Sequence, residues 1–188
     1  AMLFFSVCVF FVMLTKKGTV IAFTFSDPLV LFFAGGVLIT YKWNLNPEPE
    51  KLIFAGQLVI LWFLLRYVLT AYREFKFFFL FVLMFTGLIE AVWGMQQLHG
   101  YSHSNHSLFR LTGSFFNPGP YSGYIAVILP VCLWTALRFQ KGMHYFAWIC
   151  VGAILIVLPA GMSRSAWIAA IAACGWVYWV ERIGWEKT

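Results

Sequence analysis

The chain has 188 residues, of which 62% are hydrophobic, 20% aromatic and 11% charged, with a mean hydropathy of +0.82 and a net charge of +6. A soluble domain carries roughly a quarter charged residues, so this composition excludes an ordinary soluble fold. The basic residues stand singly or in pairs at the ends of apolar runs, which is the pattern of membrane loops, and no nucleic-acid partner is expected.

The apolar runs are continuous and near the length of a spanning helix, about 20 residues, whereas a β-barrel would show short alternating segments. The expectation is an all-α, polytopic transmembrane bundle with about seven spans. Cys8, Cys132, Cys150 and Cys174 all lie inside apolar runs and read as small hydrophobes rather than as a disulfide or metal set.

Span one is Met2–Leu14, closed by Thr15-Lys16-Lys17-Gly18. It has no basic n-region and no small-residue cleavage site, so it reads as a truncated span and not as a signal peptide. The chain is accordingly expected to be a single transmembrane domain, residues 1–188, cut from a longer polytopic protein. Span two lies within Thr19–Tyr41 and contains Ser26-Asp27-Pro28. Asp27 reads as the N-cap of a helix with Pro28 at its first position, or as a buried functional acid.

A proline-broken loop, Lys42–Lys51, precedes span three, Leu52–Tyr72, which holds Arg66. An arginine there faces other helices or snorkels to the interface. Arg73–Lys76 is expected to be a tight turn before span four, Phe77–Leu98, which contains Glu90 and ends near Gln96 and Gln97. A long polar loop over residues 99–118 follows. Span five is Gly119–Phe139, a basic turn covers Arg138–His144, and span six is Tyr145–Met162. Span seven is Ser165–Val180, with a charged tail from Glu181 to Thr188. Ala166, Ala169, Ala170, Ala173 and Gly175 suit it to close helix packing.

Charge sets the orientation. One face collects Lys16, Lys17, Arg73, Lys76, Arg138, Lys141, Arg182 and Lys187, eight in all; the other has four, Lys42, Lys51, Arg110 and Arg164. The positive-inside rule places the eight in the cytoplasm, which makes the 99–118 loop and the Met162–Ser165 break external.

Arg110 and Arg164 therefore sit on the face poorer in basic residues, flanked by small or polar residues such as Thr112, Gly113, Ser163 and Ser165. A guanidinium fork beside a helix start suits bidentate binding of phosphate or carboxylate. The alternative is an interfacial arginine bonded to carbonyls or headgroups. Asn117, ahead of Pro118-Gly119-Pro120, caps the next helix or touches a ligand. Glu90 reads as a proton-transfer group or as half of an ion pair, with Gln96 and Gln97 as hydrogen-bond partners near the same mouth. His99, His103 and His106 have metal-like spacing, but no cysteine or carboxylate completes a set, so no metal is expected; a solvated loop or a general base are the other readings.

Taken in order, Gln96-Gln97, the segment from Arg110 through Leu-Thr-Gly-Ser-Phe-Phe-Asn-Pro-Gly-Pro-Tyr-Ser-Gly to Tyr124, and Ser163-Arg164-Ser165-Ala166-Trp167 resemble the O-antigen ligase and O-antigen polymerase superfamily of bacterial inner-membrane proteins. Gly119 stands where that family often has a second Asn, and Ser165 where it often has Gly. The resemblance covers Gln96 to Trp167. It implies a multi-pass glycosyltransferase without metal or other cofactor. Such an enzyme moves a glycan from a polyprenyl diphosphate carrier to a glycan, a lipid A core sugar or a protein acceptor at the periplasmic face of the lipid bilayer. It implies that Arg110 and Arg164 are catalytic, holding the diphosphate; Asn117, Gln97, Glu90 and Ser163 are the residues expected to bind substrate beside them. It also implies that a later loop with an acceptor-side histidine lies beyond Thr188, so that this stretch alone is inactive. An O-antigen polymerase of the same superfamily is the near alternative. A transporter or flippase for an anionic lipid-linked substrate, or a structural subunit, are the rivals of another kind.

Overall fold

A computed structural model describes residue 24 and residues 26–44 and 48–185. Among these, six α-helices and a short 3₁₀ turn form, with no strand: α1 Ser26–Trp43, α2 Pro49–Ala71, α3 Arg73–Leu98, α4 Pro118–Arg138, α5 Gly142–Val157, the turn Pro159–Gly161, and α6 Arg164–Trp185. The all-α expectation holds. The count of about seven spans is corrected: four helical segments are long and apolar enough to cross a membrane, Pro49–Ala71, Glu74–Leu98, Pro118–Arg138 and Gly142–Gly161. Span one falls outside the described residues. Helix α1 has only 18 residues, with Asp27 in its first turn and Lys42 in its last. Helix α6 is diluted by Trp167, Trp176, Tyr178 and Trp179 and by the charges at its end.

Two other boundaries differ from the sequence reading. Arg73–Lys76 is not a turn but the start of α3, because only Tyr72 interrupts the helical run. The Tyr72 N–H still bonds to Val68 O at 2.9 Å, so the α2 end is satisfied and the next helix restarts at once. Helix α6 continues past Val180 into the segment read as a charged tail, to Trp185.

The chain divides into two compact units, residues 1–77 and 78–188. In the first, α1 packs on α2. The Asp27 carboxylate reaches back three residues to the Thr24 N–H at 2.7 Å, as the third-position acid of a capping box does. Asp27 thus lies inside the first turn of α1 and is not its N-cap. The same carboxylate forms an ion pair with Arg66 of α2, with Asp27 at 2% and Arg66 at 16% side-chain exposure. Two charges that are each expensive in an apolar layer neutralise one another there.

In the second unit α4 is central and packs against both α5 and α6. Its buried face carries Tyr121, Ile125, Ile128 and Cys132, which meet Met84 and Ala91 of α3 and Cys150 and Ile154 of α5. Helices α4 and α6 run parallel. Near one end Ser122 Oγ donates to Gly161 O at 2.9 Å; near the other, Trp134 Nε1 donates to Glu181 Oε1 at 3.0 Å, with Arg138 3.8 Å from the same carboxylate. Helix α5 returns between them. The start of α4, the start of α6 and the 99–117 loop therefore share one end of this unit. Gly94 lets α3 approach α4, since a Cβ there would run into the Tyr121 hydroxyl.

Candidate functional site

The loop between α3 and α4 is held from below by two side chains of α3. Gln97 is 3% exposed. Its Oε1 accepts the Thr112 N–H at 2.9 Å and the Gly113 N–H at 2.8 Å, and its Nε2 donates to Gly113 O and His103 O, both at 3.1 Å. The amide oxygen has two lone pairs and the amide nitrogen two hydrogens, so all four positions are occupied. Two turns earlier on α3, Glu90 accepts the Ser114 N–H at 3.0 Å and a short bond from the Ser114 hydroxyl. Gly113 lies between these two anchors with φ +55°, and a Cβ on it would meet the Glu90 carboxylate and the Tyr121 ring.

Loop residues complete the fastening. Asn105 Nδ2 lies within hydrogen-bond reach of the carbonyls of Gly113, Ser114 and Phe115 at 3.2–3.4 Å. Thr112 is fully buried, and its hydroxyl takes the Asn105 N–H at 3.3 Å and contacts Ser104 Oγ at 3.2 Å. Leu111, also buried, joins the core. Arg110, one residue earlier, points out of this framework and is exposed. Its guanidinium makes no ion pair or hydrogen bond among the described residues. It borders a cavity of about 310 Å³ on the loop side of α3.

The second arginine is placed by different means. The 3₁₀ turn ends at Met162, which adopts the left-handed conformation (φ +53°), and α6 starts at Arg164. Trp167 Nε1 bonds back to Leu158 O at 2.9 Å and pins the entry to α6. Arg164 is exposed and likewise unpaired among the described residues. The first N–H groups of a helix are unsatisfied and attract anions. Ser163 and Ser165, their hydroxyls 3.3 Å apart, border a groove of about 520 Å³ between α4 and α6, floored by Gly119, Gly123, Ala166 and Ala169.

The structure thus brings Arg110 and Arg164 to the same end of the second unit: Arg110 borders the loop-side cavity, and Arg164 stands between two serines that border the α4/α6 groove. Of the other sequence candidates, Gln97 and Glu90 spend their polar atoms on the loop backbone and on Ser114. Asn117 is the N-cap of α4: its side chain accepts the Gly119 N–H at 3.0 Å, and Pro118 occupies the first helical position. The Gln96 side chain is exposed. His99 Nδ1 donates to Met95 O at 2.8 Å, and His106 Nδ1 accepts the Leu108 N–H at 3.1 Å, so these two rings are bonded to separate stretches of backbone. No group of three His, Cys, Asp or Glu side chains gathers for a metal ion among the described residues. Sequence reading missed Asn105, Thr112 and Ser114. A lone Asn in a Ser-rich loop carries no signal of which carbonyls it will meet. No family model, no curated protein and no solved structure matches this chain.

Proposed function

We propose that the chain is the arginine-bearing part of an O-antigen ligase-like glycosyltransferase of the bacterial inner membrane. In this reading the 99–118 loop faces the periplasm. The observation that carries it is the pair of exposed arginines, without partners among the described residues, at one end of the second unit. One sits on a loop fastened through Gln97 and Glu90, the other at a helix start. A solvated charge with no structural employment, held on a fixed backbone, is suited to an external anion.

The chemistry follows from the leaving group. When an acceptor hydroxyl attacks the anomeric carbon of the lipid-linked glycan, the bond to the diphosphate oxygen breaks, negative charge grows on the diphosphate, and the hydroxyl proton leaves to water. Arg110 and Arg164 stabilise that charge by hydrogen bonding and field; arginine does not lose its proton, so neither is the acid. The acceptor is a glycan, a lipid A core sugar or a protein hydroxyl. An O-antigen polymerase uses the same donor chemistry with a growing glycan as acceptor.

Side-selective labelling separates this reading from a carrier. Cysteines placed by Arg110→Cys and Arg164→Cys in the membrane-inserted protein are expected to react with an impermeant thiol reagent from the periplasmic face only. Reaction from both faces would instead indicate a site open to both sides, as passage of an anion across the membrane requires.

A further inference from the structure

The cavity beside Arg110 has a second character besides charge. It measures about 310 Å³, at the lower end of the roughly 300–1,000 Å³ of small-molecule pockets. Arg110 borders it on one side; His99, Ser102, His103 and Ser104 supply most of the remaining polar wall, and no carboxylate lines it. Gln97 also borders it, but its amide is saturated by the loop backbone. Ser104 Oγ is engaged with Thr112 and with the His106 N–H.

What remains open to a ligand is therefore specific. The guanidinium of Arg110 is unpaired among the described residues. His99 uses Nδ1 as a donor to Met95 O, which leaves Nε2 as an acceptor in the neutral ring. The His103 imidazole and the Ser102 hydroxyl make no hydrogen bond among the described residues, the His103 carbonyl alone being taken by Gln97. One permanent cation next to a set of neutral donor–acceptor groups matches a ligand with one anionic group and several hydroxyls. A bare oxyanion would leave the imidazole and hydroxyl positions unused, and a neutral sugar would leave the guanidinium unused.

We propose that this cavity is the subsite for a sugar phosphate unit: Arg110 binds the phosphate, and His99, Ser102 and His103 bind the hydroxyls of the single sugar ring attached to it. The identification of that unit as the first sugar of the lipid-linked donor rests on the glycosyltransferase reading; the pocket itself does not.

The test is equilibrium binding to the whole chain in phosphatidylcholine nanodiscs, with glucose 1-phosphate, inorganic phosphate and methyl glucoside as probes. Glucose 1-phosphate is expected to bind about tenfold or more tighter than inorganic phosphate, and methyl glucoside weakest of the three. Arg110→Gln is expected to abolish binding of both phosphates. The double variant Ser102→Ala/His103→Ala is expected to bring glucose 1-phosphate down to the level of inorganic phosphate while leaving the latter unchanged. These side chains are exposed or unbonded, so the fold tolerates their loss. Equal affinity for glucose 1-phosphate and inorganic phosphate in the unaltered chain, or binding that survives Arg110→Gln, would overturn the proposal. No glycan transfer enters the measurement, so a carrier without transferase activity leaves the result standing, and an active transferase does not rescue a failed titration.

Discussion

Gln97 and Gly113 exchange hydrogen bonds in both directions: the Gly113 N–H donates to Gln97 Oε1 at 2.8 Å, and Gln97 Nε2 donates to Gly113 O at 3.1 Å. A side-chain amide here takes the place of a backbone neighbour and anchors a loop to the last turn of α3. Because Gly113 follows Arg110 by three residues, this exchange also determines where the arginine stands.

Gln97→Ala leaves the buried Thr112 and Gly113 N–H groups without acceptors. An unsatisfied buried group costs about 1–3 kcal/mol, so a local destabilisation on the order of 2 kcal/mol is expected. Amide exchange at Thr112 and Gly113 should then accelerate about 30-fold. Unchanged exchange at both would show that Gln97 is not the anchor.

Gly113 and Gly100 both have positive φ, +55° and +78°, but they differ in surroundings. At Gly100 an added Cβ meets nothing, so Gly100→Ala carries only the left-handed backbone penalty of about 1–2 kcal/mol. At Gly113 the Cβ also collides with Glu90 and Tyr121, which adds about 1–3 kcal/mol of overpacking. Thermal unfolding should rank Gly113→Ala clearly below Gly100→Ala; equal midpoints would contradict the packing described.

The Asp27–Arg66 pair makes a sign prediction. Removing one member of such an ion pair strands the other and is destabilising, whereas replacing both by apolar residues of similar volume is often close to neutral. Asp27→Leu/Arg66→Met should therefore be more stable than Asp27→Leu alone. Denaturant titration in micelles measures the order, and a double variant less stable than the single would refute it.

Much of the helical framework was legible in the sequence. Asn117-Pro118 announces the start of α4 because proline suits a first helical position and Asn a cap. The segment Arg73–Lys76 misled because charges read as loop, although charged residues are well tolerated in the first turn of a helix at a membrane surface. The extension of α6 past Val180 was hidden because it depends on Trp134 and Arg138, more than forty residues away in the chain, receiving Glu181. The costs of Asp27 and Arg66 were each visible, but their meeting, 39 residues apart, was not. In the candidate site the two arginines stood out by charge and by neighbouring small residues. The roles of Gln97 and Glu90 did not, since their partners lie 6–24 residues further on, in a loop without periodicity.

The central claim is that Arg110 and Arg164 bind the anionic leaving group of a glycan transfer. Neither side chain has a partner among the described residues, so Arg110→Ala and Arg164→Ala should leave membrane insertion and thermal stability near those of the unaltered protein. The most direct measurement is transfer of glycan from a polyprenyl diphosphate donor to its acceptor, in membranes containing the protein. Each substitution is predicted to lower the rate on the order of 100-fold or more, the typical effect of removing one preorganised donor to a developing charge. Transfer by the Arg110→Ala/Arg164→Ala double variant at the unaltered rate would contradict the account.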